Sequence, residues 1–323
     1  MASVASQLFN SRIRLRHIQC FVAVAQEQHL RKAAERLHLS QPAVSKTLAE
    51  LEALTETQLV ERGRFGARLT REGQLFLTHA LSVLDALEGA RRAVSADSEA
   101  AHETVLVGAL PSVAPDILPL TLAEFRTMWP QARVDIQIAA NTPLLDKLRS
   151  GEVDFVLGRM ADPESTAGLS FELLYVEPLV AVVRAGHPLL AEPDAGLGRI
   201  VEFPLIVSTR GTVPRHNTEN FLHARGLSLP ANCLETLSVS VARLVAMGTD
   251  AVWFTPIGAV REDVAQRHLQ QLPITTDGTE EPVGLLRRSE AQLGRGALSF
   301  MKILRDAATR RRGEGSAWTL SGV

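Results

Sequence analysis

With 323 residues, 46% of them apolar and 22% charged, and a net charge of −2, the chain is too long for one small motif and suits two or three domains, each with its own core. Two cysteines, Cys20 and Cys233, exclude a disulfide framework and a cysteine-based metal centre. No uninterrupted apolar run of about 18 residues occurs and no apolar stretch follows a basic start, so neither a membrane span nor export is expected, and the cytoplasm is the expected compartment.

The charge is unevenly spread. Residues 1–70 carry ten Lys/Arg against six Glu, a balance of +4, which leaves −6 for the remainder. A basic N-terminal part on an acidic body fits a DNA-binding head. Residues 1–11 show no period and read as a flexible N-terminus. Leu15, Ile18, Phe21, Val22 and Ala25 then recur at helical spacing, with Cys20 as a small buried neighbour. This first helix packs on the small face that Ala33 and Ala34 form with Leu37 on the next.

Leu30 to Glu52 reads as a helix-turn-helix. Leu39 ends the apolar face, Ser40 sits where an N-cap is needed, and Pro42 falls in the first turn, where a missing N–H does no harm. Val44, Leu48 and Leu51 continue as a buried stripe. The opposite face shows Gln41, Ser45, Lys46 and Glu50. An amide, a hydroxyl and an ammonium at a helix start suit base edges and phosphates in a major groove: Gln41 for a bidentate contact to adenine, Pro42 for a thymine methyl. Leu59 to Leu69 reads as two short strands around a glycine-containing turn, a wing whose Arg62, Arg64 and Arg68 either meet phosphates or a minor groove or form a solvated cluster. Arg31 joins the DNA-contacting candidates. The winged head spans 12–70.

No proline interrupts 71–96, and Phe76, Ala80, Val83, Leu87, Ala90 and Val94 recur at steps of 4, 3, 4, 3 and 4. That heptad seam predicts a linker helix paired with a second copy in a homodimer, against the alternative of a helix lying on its own body. Ala96 to Glu103 is polar and charged and reads as a hinge.

Residues 97–309 alternate strand-like and helix-like segments, the pattern of an α/β body with a largely parallel sheet. Expected strands are Val105–Leu110, Val134–Ala139, Phe155–Gly158, Leu179–Val183, Leu205–Val207, Cys233–Leu237, Ala251–Phe254 and Val283–Leu286. Expected helices are Pro115–Trp129, Pro143–Ser150, Pro214–Ala224, Val239–Met247, one from Ile257, and Ala297–Ala308. Crossovers near Glu177 and Pro273 divide the body into lobe I, about 104–176 and 274–309, and lobe II, about 177–273, with a cleft between them. Residues 310–323, with Arg310, Arg311 and Arg312 followed by Gly and Ser, read as a flexible tail.

At this point the chain resembles the LysR-type transcriptional regulators. The resemblance rests on Ala33-Ala34 with Leu37, Leu39-Ser40-Gln41-Pro42-Ala43-Val44-Ser45-Lys46, Leu48, Leu51-Glu52, Leu59, Glu61-Arg62 and Leu69-Thr70. It covers about residues 12–308, and the head-linker-body order agrees. It implies a winged head, a dimerising linker helix, a two-lobed effector domain like periplasmic solute-binding proteins, and tetramers on promoter DNA, with RNA polymerase as a further candidate partner. Thr55-Glu56 stands where the family usually has Leu-Gly, so either the helix cap differs or Glu56 takes an ordinary turn conformation. Val60 replaces a common Phe. The body resembles the branch that regulates aromatic-acid catabolism of the protocatechuate type, together with sugar-binding-protein regulators, through Leu144-Leu145 to Gly158-Arg159, Gly168 to Glu172, Leu174 to Glu177 and Val183 to Leu189. That branch implies a small anionic effector and an activator; regulation of sugar uptake is the alternative.

Effector candidates follow from residue chemistry. Ser112, in the loop after the first body strand, delivers a hydroxyl and free N–H groups at a helix start, and Asn141-Thr142 after the second offers the same. The resemblance places effector contacts at both loops. Ser112 and Thr142 either contact a ligand or cap helices. In lobe II, Ser208-Thr209-Arg210 ends a strand at the cleft, where Arg210 would pair with an acid; Arg159 is a weaker candidate of that kind. No catalytic or metal residues and no cofactor are expected. The G-x-S-x-G, H-E-x-x-H, P-loop and G-x-G-x-x-G patterns are absent, no two histidines fall at i, i+4, and Glu177, His187 and Asp250 show no convergent spacing. An enzyme and a cytoplasmic solute receptor are the rival classes, and the attached head opposes both.

Overall fold

The computed structural model describes residues 12–63, 66–94, 103–160, 168–192 and 196–318. Residues 1–11, Arg64 and most of the expected hinge lie outside them, as do the side chains of Arg62, Ala90 and Val94. Three helices build the head: α1 (Leu15–Glu27), α2 (Leu30–Leu37) and α3 (Gln41–Thr55). Ala33 and Ala34 are buried against Phe21, Val24, Val44, Leu48 and Leu51, so two small side chains let the helices pack closely. Cys20 sits in this core, where burial pushes its thiol up to about 11 and makes it an inert packing residue.

The wing is a two-stranded antiparallel sheet of β1 (Val60–Gly63) and β2 (Gly66–Leu69), with Arg62 opposite Ala67. Side chains and backbone fix its root. Glu52 of α3 accepts the backbone N–H groups of Leu59 at 2.9 Å and Val60 at 3.0 Å. The Ala67 N–H donates to the carbonyl of Gln28 at 2.7 Å. Gly66 has φ +124°, and a Cβ there would strike that same carbonyl. Thr70 closes the wing by donating to the Gln58 carbonyl at 2.8 Å, and its oxygen accepts the Gly73 N–H at 2.9 Å, opening helix α4 (Arg71–Val94).

Only part of the expected seam on α4 faces outward. Phe76 packs edge-on against Phe21 at 5.1 Å, and Ala80 is buried with Leu77 and Leu81 in the head core. These two positions are corrected from partner contacts to internal ones, because the head lacks a closed core without them. Further along, Val83 and Leu87 are 46% and 48% exposed.

The body holds two five-stranded sheets, ordered β4-β3-β5-β12-β6 and β11-β7-β10-β8-β9. The first comprises β3 (Thr104–Ala109), β4 (Arg133–Ile138), β5 (Phe155–Arg159), β6 (Leu169–Glu177) and β12 (Glu281–Arg288). The second comprises β7 (Leu179–Arg184), β8 (Leu205–Val207), β9 (Leu234–Glu235), β10 (Val252–Pro256) and β11 (Leu269–Gln271). Both are mixed rather than largely parallel, because β12 runs antiparallel to β5 and β6, and β7 antiparallel to β10 and β11. In β7, Val180 and Val182 point into one apolar cluster and Ala181 and Val183 into another, so helices cover both faces. The expected strand 233–237 shrinks to two residues.

The body helices are α5 (Ala114–Met128), α6 (Asn141–Ser150), α7 (Leu197–Ile200), α8 (Val213–His223), α9 (Val239–Gly248), α10 (Arg261–Ala265) and α11 (Arg295–Trp318). Helix α11 replaces the expected flexible tail as far as Trp318, and Arg310 pairs with Glu124 at 3.1 Å and Arg311 with Asp116 at 2.8 Å, tying the helix at these residues to α5. Asp116 also pairs with Arg261 of α10 at 3.1 Å, which joins the two sheets' helical layers. Among the described residues no helix is long and apolar enough to cross a membrane.

Glu56 ends α3 at φ 51° and ψ 29°, the left-handed conformation. The cap geometry is therefore the glycine-type one, occupied by a residue with a Cβ, at a cost of about 1 kcal/mol. Glu56→Gly is expected to raise head stability by roughly 0.5–1 kcal/mol. Urea unfolding followed by circular dichroism reads this, and a lowered midpoint would refute the strain.

Candidate functional site

Two sites emerge. At the head, Ser40 caps α3 by accepting the Ala43 N–H at 3.3 Å, leaving Gln41 and Pro42 exposed on the first turn and Lys46 one turn on. Ser45 is half-buried. The turn before it is held by His38 at φ 54°, whose N–H bonds back into α2. Arg31 is exposed beside Glu35, and Arg68 is exposed on β2. Glu50 does not share this outward face. It lies 3.4 Å from His17 and 3.5 Å from Arg16 on α1, so it braces the head instead. The resulting convex surface offers an amide, a lysine and arginines on a rigid core, the arrangement that reads a groove and grips phosphates.

The second site is a cleft of about 510 Å³ between the two sheets. Four helices among the described residues begin at its wall: α5 behind Ser112, α6 at Asn141, α8 behind Thr212 and α9 behind Ser238. Each start presents first-turn N–H groups and the positive end of a helix dipole. Apolar walls from Leu110, Leu145, Val239, Ala242 and Trp253 enclose them. The space suits an apolar framework carrying negative charge.

The expected residues divide. Ser112, Asn141, Thr142, Arg159 and Ser208 line the cleft. Neither Ser112 nor Thr142 is a helix cap, since Val113 and Ala140 hold those positions. Thr142 lines the cleft, and Ser112 Oγ accepts Arg159 Nη1 at 3.3 Å. Asn141 is committed to structure: its amide bonds both ways to the Arg159 backbone, at 3.2 and 3.3 Å, stapling α6 to the end of β5.

Thr209 and Arg210 are corrections. Arg210 is 82% exposed on its side chain, 3.8 Å from Glu235, and neither residue lines the cleft. The chain turns at Gly211 with φ +80°, which carries Thr209 and Arg210 away from the wall and brings Thr212 back to it. The inward arginine of this lobe is Arg215, neutralised beneath the wall by Glu219 and Glu235 at 2.7 and 2.9 Å.

Arg149, Thr212, Ser238 and Trp253 line the cleft without having been expected there. A signal existed for the first: Thr142, Leu145 and Arg149 fall at i, i+3 and i+7, one face of a helix whose start was already a candidate. Trp253 and Thr255 alternate on β10, which places both on one face of that strand.

Arg159 is buried, and its charge is already met. Nη2 donates to Glu177 at 2.7 Å, and Nε lies against Glu281. Glu177 Oε2 also accepts the Gly258 N–H at 3.1 Å from the second lobe, and Glu281 accepts Asn217 of α8 at 2.5 Å. Burial pushes Glu177 up to about 7, with Arg159 and the Gly258 N–H opposing it; burial likewise raises Glu281. This trio stands where the chain crosses between lobes, at the end of β6 and the start of β12.

The sequence matches the family description "LysR substrate binding domain" over residues 98–309 and "Bacterial regulatory helix-turn-helix protein, lysR family" over residues 15–74. Among curated relatives, the HTH-type transcriptional regulator YdcI of Escherichia coli (strain K12) is 44% identical over 300 residues, covering 93% of this chain and 97% of the relative. The HTH-type transcriptional regulator PcaQ of Agrobacterium fabrum is 40% identical over 301 residues, with coverage of 93% and 97%. Among solved structures, full-length OxyR from Pseudomonas aeruginosa superposes with a TM-score of 0.68 at 24% identity, covering 92% of this chain and 95% of that one, a likeness of fold.

Glu177 also makes the protein's stability depend on pH. Its folded value of about 7 lies above the ordinary 4.5, so the folded state binds the proton more tightly than the unfolded one. The stabilisation is complete below 4.5 and is lost as pH rises toward 7, with a slope of up to about 1.4 kcal/mol per pH unit. Glu177→Gln is expected to flatten that part of the profile in urea titrations. An unchanged slope would assign the pH dependence elsewhere.

Proposed function

The chain belongs to the LysR family of transcriptional regulators, and on that premise we propose that it activates a catabolic operon for aromatic acids when a small carboxylate enters the cleft. It is a DNA-binding regulator with an effector domain, not an enzyme. The observation that carries the anionic effector is the convergence of four helix starts on one apolar-walled cleft, with Arg149 beside them. Ring-sized space and positive dipole ends together favour an aromatic acid over a neutral sugar. The similarity to PcaQ supports the same direction.

The head reads promoter DNA through Gln41, Pro42, Ser45 and Lys46, while Arg31, Arg68 and the wing's Arg62 and Arg64 grip the backbone. Val83 and Leu87, with Ala90 and Val94 beyond them, pair linker helices into dimers, and dimers associate into a tetramer on the promoter in the cytoplasm, within reach of RNA polymerase. Effector binding changes how the lobes pack in that assembly, which requires different affinity for the effector in its two states.

Isothermal titration of the full chain with protocatechuate, benzoate and galactose tests the effector class. The acids are expected to bind and galactose not, with Ser112→Ala plus Thr142→Val weakening the acids at least about fivefold, the loss of about one hydrogen bond. Binding of galactose alone would favour the sugar-regulator alternative, and unchanged acid affinity in the double variant would remove the pocket assignment. For DNA, Gln41→Ala is expected to weaken a cognate promoter duplex by roughly 1–3 kcal/mol and random duplex far less. Arg68→Ala is expected to weaken both alike and lower the salt slope by about 1. Gel retardation decides, and equal losses on both DNAs from Gln41→Ala would take it out of base readout.

A further inference from the structure

Helix α6 touches both functional units. Its first turn, at Asn141 and Thr142, lines the cleft, and Leu144, Leu145 and Leu148 bury its length in the first lobe's core. Ten residues make it about 15 Å long. Its far end is fastened as well. Gly151 closes it at φ +74°, and Arg288 of β12 donates Nη1 to the carbonyls of Leu148 at 2.9 Å and Val153 at 3.3 Å.

The head sits on that same end. Gln26 of α1 donates its Nε2 to the carbonyl of Ser150, the last residue of α6. Leu81 of α4 lies against Gly151, and a Cβ there would stand 2.8 Å from its Cδ2, so a side chain at this position would press the leucine aside. His79 lies 3.6 Å from Glu290 at the rim, both exposed. The contact is small. Gln26 Oε1, meanwhile, is buried with no hydrogen-bond partner among the described residues. A buried amide oxygen left without a partner offsets part of what the hydrogen bond and the apolar contact return. Such an interface is poised to be made and broken.

We propose that α6 is a relay within one chain: its C-terminal end is the docking seat of the chain's own head, and an anion engaging its first turn shifts the occupancy of that seat. A short helix packed into a rigid core moves as a unit, so displacement at one end reaches the other. The inference rests on the cleft reading for what acts on the helix, while the docking contact stands independently of it.

The test needs no effector. With p-benzoylphenylalanine in place of the exposed His79 in the full chain, irradiation is expected to cross-link residues 288–291 of the same chain. Mixing nitrogen-15-labelled and unlabelled chains shows this as an absence of mixed-isotope peptide pairs. Cross-links only between chains, or none in that segment, would overturn the seat. Gln26→Glu sets a carboxylate against helix carbonyls and is expected to cut the yield at least threefold, whereas Gln26→Lys keeps a donor and retains it. In the same pair of variants without the cross-linker, hydrogen exchange across 141–153 is expected to rise at least threefold for Glu and stay unchanged for Lys. A rise confined to 148–153 would overturn the relay. Failure of every acid to bind in titration would instead sink the effector reading and leave the contact intact.

Discussion

Everything about the cleft depends on a buried arginine shared by two buried carboxylates. Arg159 closes β5, Glu177 closes β6 and Glu281 opens β12, while Gly258 and Asn217 reach the same carboxylates from the other lobe. Removing Arg159 leaves two carboxylates unopposed in the interior, a penalty of about 3–5 kcal/mol in comparable sites. The trio therefore fixes where the lobes meet, and so how far apart the helix starts of the two walls stand. It also explains why Arg159 is a poor ligand arginine. Its charge is spent on the joint, and the helix starts, together with Arg149 on the wall, supply the cleft's positive groups.

The parts of the fold that were legible in the sequence are those where one local rule acts alone. The head's stripe of Val44, Leu48 and Leu51 with a serine cap admits one reading, and most body elements fall within a residue or two of their expected bounds. Strand β6 escaped because of a register shift opposite Val283 and Gly284, which turns the adjacent Leu174 and Tyr175 both inward and destroys the alternation that betrays a strand. Arg310 and Arg311 misled for a different reason: a run of arginines reads as solvated until the acids of α5 are placed beside it.

The candidate site was half legible for the same cause. A loop following a strand and opening a helix is visible in sequence, which is why Ser112 and Thr142 could be named. Which arginine meets a ligand and which meets a carboxylate depends on acids that the fold brings beside it from other elements, Glu177 and Glu281 for Arg159 and Glu235 for Arg215. Arg159, Arg210 and Arg215 are alike in sequence, yet one is a joint, one is exposed and one is neutralised beneath a wall.

Helix α4 serves two structures in succession. Its first turns complete the head through Leu77, Ala80 and Leu81, and the exposed Val83 and Leu87 lie beyond them. A Cβ at Gly73 would strike the carbonyl of Leu59, so the helix leaves the wing root in one fixed direction. Head and helix are thus a single lever. With 24 residues, its arm is about 36 Å, and a tilt of about 10° at the far end sweeps the reading surface through about 6 Å. Since successive base pairs are about 3.4 Å apart, that is nearly two steps along the duplex. Rigidity at one glycine is what turns a small rotation in the oligomer into a change of address on DNA.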